Sequence, residues 1–169
     1  TMEQEHPFSA PGMALILDAL GLEFLAGILE VELGRHPENL PALIELGHVY
    51  TRARRFEKGL EVDRELVRRC PADPTTHYNL ACSFALLHKS EEAIDELERA
   101  VVLGYEDAEH LLADEDLASL RGSVRFEAIV QALASVREPE QPPSRTYRIG
   151  WFCEPSRRVK KRRSEPRLG

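Results

Sequence analysis

Residues 40–73 and 74–107 are two copies of one 34-residue pattern. Laying LPALIELGHVYTRARRFEKGLEVDRELVRRCPAD over PTTHYNLACSFALLHKSEEAIDELERAVVLGYED sets Leu46 on Leu80, Gly47 on Ala81, Tyr50 on Phe84, Gly59 on Ala93 and Leu66 on Ala100. Pro37 and Pro71 keep the same interval, and Tyr105 holds the next slot. A period of this length marks stacked helical units, because one unit cannot bury its apolar face without neighbours. Leu43, Leu46, Val49 and Tyr50, then Leu80, Phe84 and Leu87, recur at three- and four-residue intervals and predict an amphipathic first helix in each copy. In EEAIDELERAV, with Ser90 at its start, Ala93, Ile94, Leu97, Ala100 and Val101 predict the second helix. The small residues at 47, 81, 59 and 93 let helices approach closely. Pro37, Pro71 and Pro74 keep the units from fusing, since proline lacks a donor and restricts the residue before it.

Two such units are marginal alone, and the flanks supply cover. GLEFLAGILEVELGRHPEN predicts an amphipathic helix ending at Gly34 and His36-Pro37, and Met13–Leu20 a separate shorter helix after Pro11 and Gly12. Downstream, residues 108–137 keep helical periodicity but lose the repeat. The expected organisation is a disordered arm over 1–12, a helical domain over 13–137 with capping helices at 13–36 and 108–137, and a proline-rich linker with a basic, disordered tail over 138–169.

The pattern L-G-x2-Y, then a small residue, then a closing proline, resembles the tetratricopeptide repeat of bacterial type. The stretch Asp116, Leu117, Leu120, Arg121, Arg125 and Phe126 resembles the degenerate closing unit of such proteins. The resemblance implies an all-α, right-handed solenoid of about seven helices, whose first helices line a concave groove. Carried over residue by residue, the groove takes Ile44, Glu45, His48 and Arg52 from one unit and Thr75, Tyr78, Asn79 and Cys82 from the next. Pro41, Thr51, Ala85, Glu109, Leu112, Ala113 and Asp116 fall on further inward slots. The chain departs from the family at the tryptophan slot, which holds Leu43 and then His77. It departs again on the second helix, where Asp63 replaces an aromatic and implies a loosened helix or an unseen partner. The family's carboxylate clamp maps onto Ile44, His48, Asn79, Glu109 and Ala113. Only the asparagine matches, and a terminal carboxylate needs cations to offset its desolvation, so the clamp is not expected. Asn79 either hydrogen-bonds an extended peptide backbone or is bonded within the stack or to water.

The remaining sequence mostly excludes. At 43% hydrophobic and 30% charged, the chain has the composition of a soluble globular protein. Asp18, Glu23 and Glu30 interrupt MALILDALGLEFLAGILE, so no membrane span is expected. Cys70, Cys82 and Cys153 form no paired spacing, which fits reduced thiols and a cytoplasmic setting. His110 and Asp114 lie four apart without further ligands, and capping by ADED accounts for them better than a metal. His77 and Cys82 lie five apart with no third group, a poor nucleophile–base pair. No phosphate loop, nucleophile elbow or zinc-protease motif occurs, so neither an enzyme nor a cofactor is expected. Glu91, Glu92, Asp95, Glu96 and Glu98 read as a solvated helix face.

The net charge of −7 conceals a division: from Pro143 onward nine basic and two acidic side chains give +7, leaving −14 on the body. The tail's Arg157, Arg158, Lys160, Lys161, Arg162 and Arg163 follow RTYRIGWF, whose Tyr147, Trp151 and Phe152 suit base stacking. The expected function is protein–protein interaction: a small adaptor or chaperone-like scaffold holding a neutral or basic segment in its groove. The alternative is a nucleic-acid- or ribosome-associated factor whose tail contacts phosphates. A third reading folds the tail into the body's own groove. Self-association through exposed repeat ends completes the expected partners.

Overall fold

The computed structural model describes residues 10–136, with side chains from 12 to 135. The expected arm falls outside this range except for residues 10–12, which are helical, and so do the linker and tail. Every described element is helical. One helix, α1 (Ala10–Arg35), replaces the two expected before Pro37. The reason is physical: a lone glycine costs a helix about 1 kcal/mol relative to alanine, too little to break it at Gly21. Leu22, Leu25, Ala26, Leu29 and Leu33 hold the helix to the body. From Gly12 to Arg35 it is long and apolar enough to cross a membrane by length and composition, which departs from the expectation that no segment resembles a span.

The sequence period is a period of structure. Helix α2 (Leu40–Arg52) and α4 (Pro74–Leu86) are each 13 residues long and start 34 residues apart. So do α3 (Phe56–Arg69) and α5 (Ser90–Val102). Local chemistry sets these starts. Asn39 Oδ1 accepts the Ala42 N–H at 3.2 Å, and Asp73 Oδ1 accepts from Thr75 and Thr76 at 2.7 and 3.3 Å, with a proline in each first turn. Ser90 is the first helical residue of α5 rather than its cap, since Lys89 holds that place and makes no side-chain capping bond. The α2 and α4 ends repeat as well. Arg54 and His88 both adopt φ 57°, and the residue after each donates its N–H back to Tyr50 O and Phe84 O at 2.8 and 2.9 Å.

Neighbouring helices pack in chain order from α1 to α5. Gly47 shows why small residues recur: a Cβ there would stand 3.3 Å from Val62 Cγ1 on α3. Asp63 does not loosen α3, which is continuous. The residue is 6% exposed, and its carboxylate accepts the Ser83 hydroxyl of α4 at 2.5 Å. Cys70 closes α3, buried, with its N–H donated to Leu66 O at 2.8 Å.

After α5 the chain forms α6 (Ala108–Ala113), a 3₁₀ helix (Glu115–Leu120) and α7 (Val124–Val136). Leu117, Leu120 and Phe126 are fully buried, which explains the D-L-x-x-L-R…R-F pattern as a cap on the apolar end of α4 and α5. The acids of α5 are more than a solvated face. Glu91, Asp95 and Glu98 gather around the Arg125 guanidinium of α7 at 3.0, 2.8 and 3.2 Å. Glu96 Oε2 lies 2.5 Å from Nδ1 of buried His77, whose Nε2 meets Pro71 O at 3.1 Å.

Candidate functional site

The exposed stripe of α2 and the facing side of α4 enclose a cleft of about 450 Å³, closed at one end by the segment joining α6 to the 3₁₀ helix. Helical spacing builds it: Glu45, His48 and Arg52 follow at three and four residues along α2, and Tyr78 and Cys82 at four along α4. Of the eight groove residues expected from sequence, these five and Asn79 line the cleft. Ile44 and Thr75 do not. Ile44 turns into the core between α1 and α3, and Thr75 stands exposed in the first turn of α4, its N–H taken by Asp73. Thr51 and Asp116 also line it, whereas Pro41, Ala85, Glu109, Leu112 and Ala113 do not. The basic residues 157–163 lie outside the described residues.

Sequence reasoning missed Asp63, Ser83, His110 and Asp114 as cleft residues. Asp114 organises the far wall. Its Oδ2 accepts the Tyr78 hydroxyl at 2.5 Å and lies 3.7 Å from the Cys82 thiol and 3.9 Å from His110 Nε2. Its Oδ1 caps the 3₁₀ helix by accepting the Asp116 N–H at 2.9 Å. Capping thus describes Asp114, but only in part, because the same carboxylate locks Tyr78. The only signal available in sequence was the cap pattern, which says nothing about a partner 36 residues earlier. The Tyr78 ring in turn stacks on Tyr105, centroids 4.6 Å apart and planes 7° apart. Tyr78 is therefore rigid, held at its ring and at its hydroxyl.

The cleft is acidic. Glu45, Asp63, Asp114 and Asp116 line it against one permanent cation, Arg52, which already lies 3.8 Å from Asp18 of α1. Burial pushes the Asp63 carboxyl up to about 6, with the Ser83 hydroxyl and His48 pulling the other way. Burial and then the neighbouring Asp114 raise Asp116. Burial, with Asp114 adding to it, drives the Cys82 thiol well up, so this sulfur is not a thiolate nucleophile. His77 and Cys82 occupy opposite sides of α4, facing Glu96 and Asp114. No three histidine, cysteine or acidic side chains stand close enough to hold a metal among the described residues.

Asn79 is half-buried on the cleft wall, and its amide makes no hydrogen bond among the described residues. The arrangement offers a ligand one unengaged amide, able to donate and to accept, beside a set of carboxylate acceptors.

Comparison with known proteins adds little to this geometry. No family model matches the chain, and no solved structure matches it significantly. The chain is 27% identical over 88 residues to a curated chloroplastic protein of Arabidopsis thaliana, a match covering 50% of this chain and 26% of that protein. The chain thus spans about a quarter of that relative's length.

Proposed function

We propose that the chain is a tetratricopeptide-type right-handed solenoid acting as a protein–protein interaction module, an adaptor without catalytic activity that holds an extended basic segment in the cleft between α2 and α4. The 34-residue spacing of helix starts and the paired φ 57° turns support the architectural part of this reading. The single observation that carries the functional part is the unengaged Asn79 amide set among Glu45, Asp114 and Asp116. An extended peptide presents backbone donors and acceptors that an amide satisfies in register, and lysine or arginine side chains answer the carboxylates. The rigid Tyr78 supplies an aromatic wall whose ordering cost is met before binding.

The test is fluorescence anisotropy with two labelled ten-residue peptides, one alternating lysine with alanine and one alternating glutamate with alanine. The lysine peptide binds and the glutamate peptide does not. Asp116→Asn weakens binding by roughly fivefold and makes it less sensitive to salt, as a charge at the rim does. Asn79→Ala weakens it without changing the salt dependence. Equal binding of both peptides, or binding unchanged by both substitutions, removes the cleft from the function.

A further inference from the structure

The outward face of α1 has a pattern that neither the core nor the cleft uses. From Met13 through Leu17, Leu20, Phe24, Gly27 and Val31 to Gly34 the intervals alternate four and three, the heptad seam of a helix that lies against another helix. A lipid surface asks for no such register. The inner face is already satisfied, because Leu22, Ala26, Leu29 and Leu33 pack into the core with α2.

Every acid on α1 is drawn to its flanks. Asp18 lies 3.8 Å from Arg52, Glu23 pairs with Arg55, Glu30 accepts from Tyr50 and Lys58, and Glu32 takes the Asn39 amide at 3.0 Å. The acids that interrupt the apolar run in sequence thus leave a face without charge in three dimensions. On or beside that face Leu17 and Leu20 are each 61% exposed, Phe24 is 73% and Val31 is 56%. With Ile16 and Ile28 at its edges these leave on the order of 600 Å² of apolar surface in water, scaling from roughly 150–250 Å² for a large aromatic side chain. A monomer ordinarily exposes a few hundred, and a stable interface takes about 800 Å² from each partner, of which roughly 60% is apolar.

The face is also its own complement. Turned about a two-fold axis through Phe24, the helix sets Gly21 over Gly27, Leu20 over Ile28, Leu17 over Val31 and Ala14 over Gly34. Large residues meet large ones, and the glycine layers beside Phe24 leave room for two phenyl rings, since nothing lies within 4 Å of a Cβ built at either glycine. We propose that α1 is covered by the α1 of a second copy, antiparallel, with Phe24 on the symmetry axis.

Sedimentation equilibrium of the full chain from about 1 to about 100 µM tests this. The expected result is a dimer that Phe24→Asp weakens more than about tenfold, with the helical circular-dichroism signal unchanged because position 24 is exposed. Val102→Asp, at an exposed site on α5, leaves the dimer intact. A chain that stays monomeric throughout, or a dimer indifferent to Phe24→Asp, overturns the proposal. So does a monomer that floats with phosphatidylcholine vesicles through Phe24, which would make lipid the occupant.

Discussion

A single carboxylate shows how far one residue's environment departs from its place in a pattern. Asp63 occupies a slot where an aromatic was anticipated, and the sequence offered only a loosened helix or an unseen partner. The partner is Ser83, one helix away, and the two meet because both occupy polar positions on faces that pack together. That pairing was not legible, since nothing local at Asp63 names a residue 20 positions on. The place of Asn79 on the cleft wall was readable only through the resemblance, whose inward slots were carried over onto the 34-residue register. The buried carboxyl carries a pH signature. Its folded value of about 6 lies above the ordinary 3.8, so the native state holds the proton more tightly than the unfolded chain does. The contribution of Asp63 to stability is therefore fully present below about 4 and lost as pH rises through about 6. The ceiling on that loss is about 3 kcal/mol. Asp63→Asn keeps an acceptor for Ser83 and removes the titration. Urea unfolding at pH 4.5, 6 and 7.5 should show the variant gaining on the wild type as pH rises. A difference that stays flat across the three would place the titration elsewhere.

At the scale of elements, the helices that repeat were readable and the helix that does not repeat was misdivided. The starts of α2 and α4 follow from Asn39, Asp73 and the prolines, which act within one turn. The continuity of α1 depends instead on what its inner leucines bury, a contact with α2 that outweighs the cost of Gly21. The capping role of α7 was legible from Phe126, but not the way Arg125 beside it collects acids from α5. These two neighbours should behave differently. Phe126 is fully buried, and Phe126→Ala should cost about 3–5 kcal/mol through lost burial and the cavity left behind. Arg125 is half exposed, and its ion pairs are screened by water and salt. Arg125→Ala should lower the thermal midpoint slightly at low salt and not at all at high salt. Thermal melts of both variants at two ionic strengths check this. A large, salt-independent loss at Arg125 would mean that its stem packing, not its charge, holds α7.

The whole molecule divides where the sequence repeat does not. Two clusters of buried apolar residues occur, one joining α1, α2 and one side of α3, the other running from α4 through α7. Helix α3 sits at the joint, giving Val62 and Leu66 to the first cluster and Leu60 to the second. Between them lies the polar Asp63–Ser83 contact rather than more hydrocarbon. The first cluster is smaller, and its outer helix leaves most of its apolar surface uncovered in a single copy, so its opening free energy should be lower. Native-state hydrogen exchange should therefore resolve two groups of amides. Those of α4 and α5, between neighbours on both sides, should exchange only with global unfolding. Those of α1 should exchange sooner, with the exposed turns from Met13 to Gly21 the fastest. Raising protein concentration separates two causes of this ordering. If a second copy covers α1, protection there should rise with concentration while that of α4 and α5 stays constant. Uniform protection along the chain, at every concentration, would mean that the two clusters unfold as one.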